Sequence, residues 1–280
     1  MKATGAIFDE LPVHGDKGDR VTNQICSKNS ASNYTIDGRE IFFPVVVSEA
    51  AMLMNGFLVN ARAAQAMLEG TGFRVVEIFP GKAILQLLAV DYKANDLGDY
   101  NEGAIIFPAL APGEKKPFPL FGAMARMANG TLGNFVYRMP VDQEFTTHAG
   151  RFIWGFPKWV SRIDIEFGPS VARGTFTDED ELVYSIEAKT GGNNTPKEQR
   201  VASLAIRDGK AWKTYGTNRS SGLTFSLGGE APKIGESHPL AKELRTLGLP
   251  RKPMFTVSVK STNMSFGNPE CVDIGAPFSR

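Results

Sequence analysis

The residue with the clearest chemical potential in this 280-residue sequence is Lys158, in the aromatic stretch of residues 149–160. Its large apolar neighbours in that stretch are Phe152, Ile153, Trp154, Phe156 and Trp159. If these side chains face one cavity, they exclude water, and desolvation lowers the pKa of the lysine below its usual value of about 10.4. A neutral amine is a nucleophile that forms an imine with a ketone. The stretch therefore predicts a Schiff-base lysine, and the alternative is a lysine at a strand end whose ammonium group extends into water.

Two further residues have types that would complement such a lysine. Glu102 precedes an apolar strand at residues 104–108, and a carboxylate near an iminium can position substrate or move protons. Arg39 precedes the strand predicted for residues 41–47, and its planar guanidinium can bind a carboxylate with two hydrogen bonds. Taken alone, Glu102 is equally a turn residue that caps a strand, and Arg39 an exposed arginine where a strand begins.

The lysine stretch resembles that of the acetoacetate decarboxylase family, which carries Gly-Arg-Glu followed by an aromatic residue, proline and two lysines. Residues 150–151 (Gly-Arg) and 156–158 (Phe-Pro-Lys) match this pattern. The resemblance places Lys158 in the Schiff-base position. Phe152 stands where the family has its glutamate, and Trp159 where it has a second lysine. With no cation at the neighbouring position, burial alone is expected to lower the pKa of Lys158.

The resemblance spans about residue 36 to residue 270 and implies two further roles. Residues 100–102 (Tyr-Asn-Glu) match the segment that holds the catalytic glutamate of the family, so Glu102 takes that role. Residues 38–40 (Gly-Arg-Glu) match the segment with the arginine that binds the substrate carboxylate, which assigns that role to Arg39.

One family position is changed in a way that makes the predicted pocket more apolar. The family has a second glutamate fifteen residues before the first, and counting back from Glu102 gives Leu87. We expect Leu87, Trp154 and Phe156 to contact the substrate. The adjacent Gln86 is assigned no role, because a shift of one residue along a strand places a side chain on the other face.

The elements that must position these residues are mostly strands. Residues 48–69 are predicted to form a helix, because apolar residues recur there at three- and four-residue spacing. Shorter helices are predicted at residues 142–148 and 238–244. Strands are predicted at residues 41–47, 73–79, 83–92, 104–108, 134–140, 162–167, 172–176, 182–188 and 255–260. This composition predicts a mostly β (α+β) fold closed into a barrel, since closure removes edge strands.

The resemblance implies the same fold: a closed, cone-shaped β-barrel of about ten strands with a few surrounding helices, assembled as a homo-oligomer. Residues 1–33 are predicted to be a polar N-terminal arm, and residues 34–280 a single barrel domain of the acetoacetate decarboxylase type. With 42% hydrophobic and 22% charged residues and a net charge of +1, the chain has no composition that favours nucleic acid or an anionic membrane as partner. We expect a cytoplasmic protein, because the sequence contains no secretory signal and no apolar run of about 20 residues.

The predicted function is a lyase that decarboxylates a β-keto acid, bulkier than acetoacetate, through an iminium on Lys158. The iminium itself accepts the electrons of the broken bond, so no metal or external cofactor is expected. The three histidines also lack metal-ligand spacing. One alternative keeps the imine without decarboxylation, as an aldolase, dehydratase or cyclase acting on a keto acid. The other is a non-catalytic barrel that binds an apolar ligand.

Overall fold

The computed structural model describes residues 34–118 and 121–272, so the predicted arm at residues 1–33 lies outside the described residues. Within these ranges the strands are β1 (Tyr34–Ile36), β2 (Arg39–Ile41), β3 (Val45–Asn60), β4 (Arg74–Val75), β5 (Glu77–Phe79), β6 (Lys82–Asn95), β7 (Tyr100–Leu110), β8 (Gly133–Arg138), β9 (Arg162–Phe167), β10 (Val171–Asp178), β11 (Glu181–Lys189), β12 (Glu198–Arg207), β13 (Lys210–Leu227), β14 (Lys233–Ile234), β15 (Phe255–Phe266) and β16 (Glu270–Cys271). The helices are α1 (Ala61–Met67), α2 (Phe121–Ala128), α3 (Glu144–Ala149) and α4 (Pro239–Thr246), and a single π-helical turn spans Gly150–Trp154. No helix in the described ranges is long and apolar enough to cross a membrane.

Seven strands close into a barrel in the order β7–β8–β12–β13–β15–β3–β6, and β6 pairs with β7 to complete the ring. Neighbouring strands are antiparallel except β8 and β12, which are parallel. Strands β4, β5 and β16 pair with barrel strands from outside the ring and bring the sheet to ten strands. The predicted mostly β barrel is therefore confirmed, with about ten strands in its sheet and seven in the closed ring.

A second, four-stranded sheet in the order β14–β11–β10–β9 covers part of the outer wall of the barrel. One buried cluster joins the two layers: Leu53, Leu87 and Phe107 of the barrel pack with Phe176 and Tyr184 of the outer sheet. Helices α1 and α4 contribute to the same cluster. The barrel strands are therefore buried on their outward face as well as facing an interior.

The interior face of the barrel follows from the alternation of side chains along β6 and β7. Since successive residues of a strand point to opposite faces, Gln86, Leu88 and Val90 point away from the outer layer that holds Leu87. Val90 lies directly opposite Glu102 in the register of β6 and β7. Glu102 therefore points into the barrel.

The predicted helix at residues 48–69 is wrong over most of its length. Residues 45–60 are strand β3, and only residues 61–67 form a helix, α1. The first turn of α1 is capped by Asn60, whose side chain accepts a hydrogen bond from Ala63 N. Because β3 has apolar side chains on both faces, its pattern lacks the alternation typical of a half-buried strand. The short helices predicted at 142–148 and 238–244 form as α3 and α4.

Candidate active site

The side chains of Lys158 and Glu102 meet inside the barrel. Lys158 Nζ donates a hydrogen bond to Glu102 Oε2 at 2.7 Å, and each side chain is only 5% exposed. Burying either charge alone would cost several kcal/mol, but a close ion pair with a good hydrogen bond offsets much of that cost. A buried lysine and carboxylate in direct contact can also exchange a proton, which imine chemistry requires.

Glu102 is held in place by the pairing of β7 on both of its sides. On one side it lies opposite Val90 of β6. On the other it forms an isolated antiparallel bridge with Val141, and Gly103 N donates a hydrogen bond to Pro140 O at 2.9 Å. Since the backbone is fixed on two sides, the carboxylate needs to order only its side-chain torsions to reach the lysine.

The segment that carries Lys158 enters from α3 and the π-helical turn, which ends at Gly155 in the left-handed region with φ 75°. Phe156 N then bonds to Gly150 O at 3.0 Å, and Lys158 N to Phe156 O at 2.8 Å across Pro157. These two bonds reverse the chain so that the lysine returns towards the turn it has just left.

Beyond Pro157 the chain is extended and runs beside residues 139–141. Met139 N donates to Pro157 O, Val141 N to Trp159 O and Ser161 N to Val141 O, at 2.7 to 3.2 Å. In an extended segment neighbouring side chains point to opposite sides. Lys158 accordingly points into the barrel. Trp159 points to the outer layer, where it packs against the buried cluster that joins the barrel to the outer sheet.

The absence of a side chain at Gly150 leaves room for the Lys158 side chain to pass. A Cβ atom at this position would overlap Lys158 Cδ and would lie 2.7 Å from Cε and 3.2 Å from Cγ. Gly150 has φ −61° and ψ −44°, which any residue can adopt. The glycine is required here for close approach to Lys158, and its backbone conformation does not demand it.

Two tyrosines complete the surroundings of the ion pair. Tyr92 OH donates a hydrogen bond to Glu102 Oε1 at 3.3 Å, and the Tyr92 and Tyr100 rings stack with centroids 4.4 Å apart. Lys158 Nζ lies 5.0 Å from the centroid of the Tyr100 ring. Burial, and then the negative charge of Glu102, raises the pKa of Tyr92 well above its usual value. Tyr92 therefore stays a phenol at physiological pH and can donate to the carboxylate.

Tyr92 and Tyr100 were not predicted as site residues. Tyr100 lies in the Tyr-x-Glu motif, which was a usable signal. Tyr92 becomes its neighbour only through the pairing of β6 with β7, and the sequence contains no local sign of that register.

The aromatic neighbours of Lys158 in sequence separate in the structure. Trp154 and Phe156 are buried, with centroids 6.1 Å apart, in a cluster that also contains Ala104 and Met139. Ala104 is two residues from Glu102 on the interior face of β7, so this cluster adjoins the ion pair. Phe152, in contrast, is 45% exposed. The five apolar neighbours therefore do not form one wall around the amine, and the apolar environment does not act alone, since Glu102 contacts Nζ directly.

Asp178, at the end of β10, ties the lysine segment to the outer layer. Its Oδ1 accepts hydrogen bonds from Trp159 Nε1 at 3.1 Å and from Ser161 Oγ at 2.8 Å. Its Oδ2 lies 3.3 Å from Nε2 of His238, the residue that caps α4. The Asp178 carboxylate thus connects Trp159 and Ser161, which follow Lys158, to β10 and to the start of α4.

Leu87 does not line the interior, contrary to the prediction. It is fully buried in the outer cluster, because it lies opposite Ile105 in the same register that places Val90 opposite Glu102. At this level of the barrel, the β6 side chain that points into the interior is that of the neighbouring residue, Gln86.

Arg39 lies on the exposed hairpin of β1 and β2. Its Nη2 donates to Asp96 O at 3.3 Å, and its guanidinium carbon lies 4.1 Å from the centroid of the Phe145 ring. In the described part of the chain no hydrogen bond or ion pair joins Arg39 to Lys158 or Glu102. Its role in binding a substrate carboxylate, like the contacts expected of Trp154 and Phe156, stays a prediction.

The arrangement suits covalent chemistry on a carbonyl compound. It provides a nucleophile, a carboxylate that can take and return its proton, and a phenol that supports the carboxylate. Among the described residues no cluster of three or more histidine, cysteine, aspartate or glutamate side chains is arranged to hold a metal ion.

The sequence profile of the family described as "Acetoacetate decarboxylase (ADC)" matches residues 34–218 of this chain. This match includes β1 to β12, both residues of the ion pair and the first half of β13. Among curated protein sequences, none matches this chain.

Solved structures with a similar fold include an acetoacetate decarboxylase from Legionella pneumophila subsp. pneumophila str. Philadelphia 1, at 16% identity and a TM-score of 0.58. The match covers 82% of this chain and 87% of that chain. The enduracididine biosynthesis enzyme MppR complexed with pyruvate is 14% identical, with a TM-score of 0.54 over 84% of this chain and 93% of that chain. MppR complexed with the condensation product of pyruvate and imidazole 4-carboxaldehyde is 13% identical, with a TM-score of 0.51 over 84% and 92%. At these identities the likeness establishes the fold.

Proposed function

Because the chain belongs to the acetoacetate decarboxylase family, we propose that it decarboxylates a β-keto acid through an imine formed on Lys158. The observation that carries this proposal is the buried contact of 2.7 Å between Lys158 Nζ and Glu102 Oε2. It joins the nucleophile that a ketone needs to the base that frees the nucleophile from its proton.

The reaction begins with a proton transfer from the Lys158 ammonium to Glu102. The neutral amine attacks the ketone carbon of the substrate, and the carbonyl oxygen becomes a hydroxyl group. Protonated Glu102 returns a proton to that hydroxyl, which leaves as water and produces a protonated imine. Lys158 is then bound covalently to the carbon that was the ketone.

The carbon–carbon bond breaks next. The electron pair of the bond to the carboxylate moves towards the iminium nitrogen and forms an enamine, while carbon dioxide leaves. A substrate carboxylate near Glu102 and among apolar side chains such as Val90 is poorly stabilised, whereas neutral carbon dioxide is not penalised there. A proton from the solvent then adds to the enamine carbon, and water hydrolyses the iminium to release the ketone and the Lys158 ammonium group.

Tyr92 supports the carboxylate through these proton transfers. Its hydroxyl group donates to Glu102 Oε1, leaving Oε2 for the lysine. We propose that this bond keeps the carboxylate oriented in both its ionised and its protonated form.

The proposal is tested by reducing the imine with borohydride in the presence of acetoacetate or a longer β-keto acid. We expect the substrate skeleton to become attached to Lys158, and Lys158→Ala to abolish the attachment. Lys213→Gln is the matched control, because Lys213 is also a poorly exposed lysine paired with a glutamate, Glu114, at 3.0 Å. If Lys158 stays unmodified with every keto acid, the imine mechanism is refuted and a non-catalytic binding barrel is supported.

A second candidate function is condensation of a keto acid with an aldehyde through the same imine. It is favoured by space beside the ion pair: Met52, Met54 and Leu88 point into the barrel and are only half-buried. Such space can hold a second reactant, and an enamine shielded from bulk water persists long enough to attack it. The MppR structure with a condensation product shows that this fold is compatible with that outcome in another protein.

One pair of NMR time courses separates the two candidates. The first follows acetoacetate, and the second follows pyruvate with an aromatic aldehyde. Acetone and carbon dioxide from the first mixture would support decarboxylation. A condensation product from the second mixture, with no carbon dioxide from the first, would replace decarboxylation with the second candidate.

A further inference from the structure

Gln86 is a buried amide in the barrel interior that the chemistry above does not use. Its side chain is 7% exposed, and it lies opposite Ile106 of β7 and Gly56 of β3. By the alternation of β6 it shares the interior face with Val90, the residue opposite Glu102. Gln86 and Glu102 therefore face the same enclosed space.

The Gln86 amide makes no hydrogen bond within residues 34–118 and 121–272, although it carries two donors and an acceptor with two lone pairs. Its interior neighbours are apolar. Ile84 and Leu88 flank it along β6, and the Phe255 ring lies so close over Gly56 that no side chain could be added there. Gln86 is not among the described residues with a side-chain polar atom that is both fully buried and unpartnered. Its amide therefore borders accessible space in the barrel interior, where a ligand could supply the partner that the protein does not.

The side chains between Gln86 and the ion pair leave accessible surface in the barrel interior. The row of residues between them, Met54 and Leu88, points into the barrel and is half-buried. On the outward face of the same strands Leu53 and Leu87 are fully buried. The interior face at this level is therefore packed less tightly than the outward face.

We propose that Gln86 binds a neutral hydrogen-bonding group, such as a hydroxyl or a carbonyl, at the far end of the substrate chain. The inference rests on the imine chemistry proposed for Lys158, and it assigns the substrate class: a keto acid with an apolar chain that ends in a neutral polar group. A charged end is disfavoured, because the amide is neutral and its named neighbours are apolar.

The register sets the length of that chain. Gln86 is four residues along β6 from Val90, and four residues of strand span roughly 13 Å, which leaves room for about six bonds between the imine carbon and the distal oxygen. A substrate of this length is 8-hydroxy-3-oxooctanoate. Its matched partner without the distal hydroxyl group is 3-oxooctanoate.

The test compares both acids with wild-type protein and with Gln86→Leu. The readouts are the rate of borohydride attachment to Lys158 and kcat/KM for loss of carbon dioxide. We expect the preference for the hydroxylated acid to fall about tenfold in Gln86→Leu, the value of one hydrogen bond to a buried amide. The variant should unfold at about the same temperature, since the Gln86 amide has no hydrogen-bond partner within the described residues to lose. Leu85→Met, one position away and in the outer cluster, should leave the preference unchanged.

An unchanged preference in Gln86→Leu, or a clear loss of stability, would overturn the role of Gln86. If neither acid attaches to Lys158, the proposed imine function fails instead. Binding is then measured separately, as the rise in unfolding temperature that each acid produces. A larger rise with the hydroxylated acid that disappears in Gln86→Leu would support the Gln86 site, and equal rises would overturn it.

Discussion

Gly150→Ala tests whether the position of the Lys158 amine, set by close packing, determines activity. The added methyl group would lie 2.7 Å from Lys158 Cε and would overlap Cδ. Ordinary contact between such atoms begins at 3.4 Å, so Cε must withdraw by about 0.7 Å (3.4 Å less 2.7 Å). If Nζ moves with it, its distance to Glu102 Oε2 grows from 2.7 Å to about 3.4 Å, outside the usual range of an N–H···O bond.

A misplacement of about 1 Å in a catalytic group can reduce the rate by about 100-fold. We therefore expect Gly150→Ala to slow borohydride attachment of a keto acid to Lys158, and the turnover number, by roughly that factor. Stability should change little, because Gly150 has helical dihedral angles. Alanine gains about 1 kcal/mol of helix propensity over glycine, which offsets part of the roughly 1–3 kcal/mol that overpacking costs.

The matched control is Gly174→Ala. A Cβ atom at Gly174 of β10 would overlap Ala89 Cβ in the outer layer, so this variant is also overpacked but leaves Lys158 untouched. It should lower the unfolding temperature while the folded protein keeps its turnover number. If Gly150→Ala retains wild-type turnover, or if Gly174→Ala loses as much, then close packing at Gly150 does not position the amine.

Two further predictions concern stability and the surroundings of the site. Burial is the main factor that raises the pKa values of Tyr92, Tyr100 and Tyr184, so above about pH 10 they ionise only in the unfolded chain. As pH rises beyond 10, the fall in the free energy of unfolding should approach about 1.4 kcal/mol per pH unit for each tyrosine, or about 4 for the three. Urea unfolding at pH 9, 10 and 11 measures this dependence. The slope of the free energy of unfolding against pH should be about one third smaller in Tyr92→Phe, and a free energy that does not change with pH would contradict the prediction. Asp178→Asn should lower the free energy of unfolding by about 1–3 kcal/mol and should also lower turnover. Trp159→Phe removes only one of the three contacts of Asp178 and should lower the free energy of unfolding by less. Equal unfolding temperatures for wild type and Asp178→Asn would refute this.

The sequence contains enough information to predict the fold class and the two residues that meet. Lys158 and Glu102 each lie in a short motif, and their contact follows once β7 and the lysine segment both border the same barrel. The residues that surround them were harder to predict. Tyr92 and Gln86 acquire their positions from the register of β6 with β7, and a shift of one residue would exchange Gln86 with Leu87. Counting back from Glu102 assigned the position of the second family glutamate to Leu87. The side chain of Leu87, however, lies on the outward face of β6 and not in the barrel interior.

The long strands were also hard to recognise. Residues 48–60 of β3 were predicted as part of a helix, because their apolar residues recur at three- and four-residue spacing and, lying on both faces of the strand, show no alternation. β12 and β13 were not predicted at all, since residues 216–222 of β13 are glycine, asparagine, serine, threonine and arginine, a composition typical of loops. Their strand structure comes from tertiary pairing: β13 lies between β12 and β15 and is hydrogen-bonded on both sides. Local propensity does not decide the conformation of such a segment.

Trp159 is next to Lys158 in sequence, which suggests that the residue at this position determines the charge near the amine. In an extended segment, however, adjacent side chains point to opposite sides, and Trp159 donates its hydrogen bond to Asp178 in the outer layer. The charge that faces the amine comes instead from Glu102, 56 residues away in sequence. The chemistry of Lys158 thus depends on which strand borders its segment, and a substitution at Trp159 should affect the amine only by loosening the contacts with Asp178.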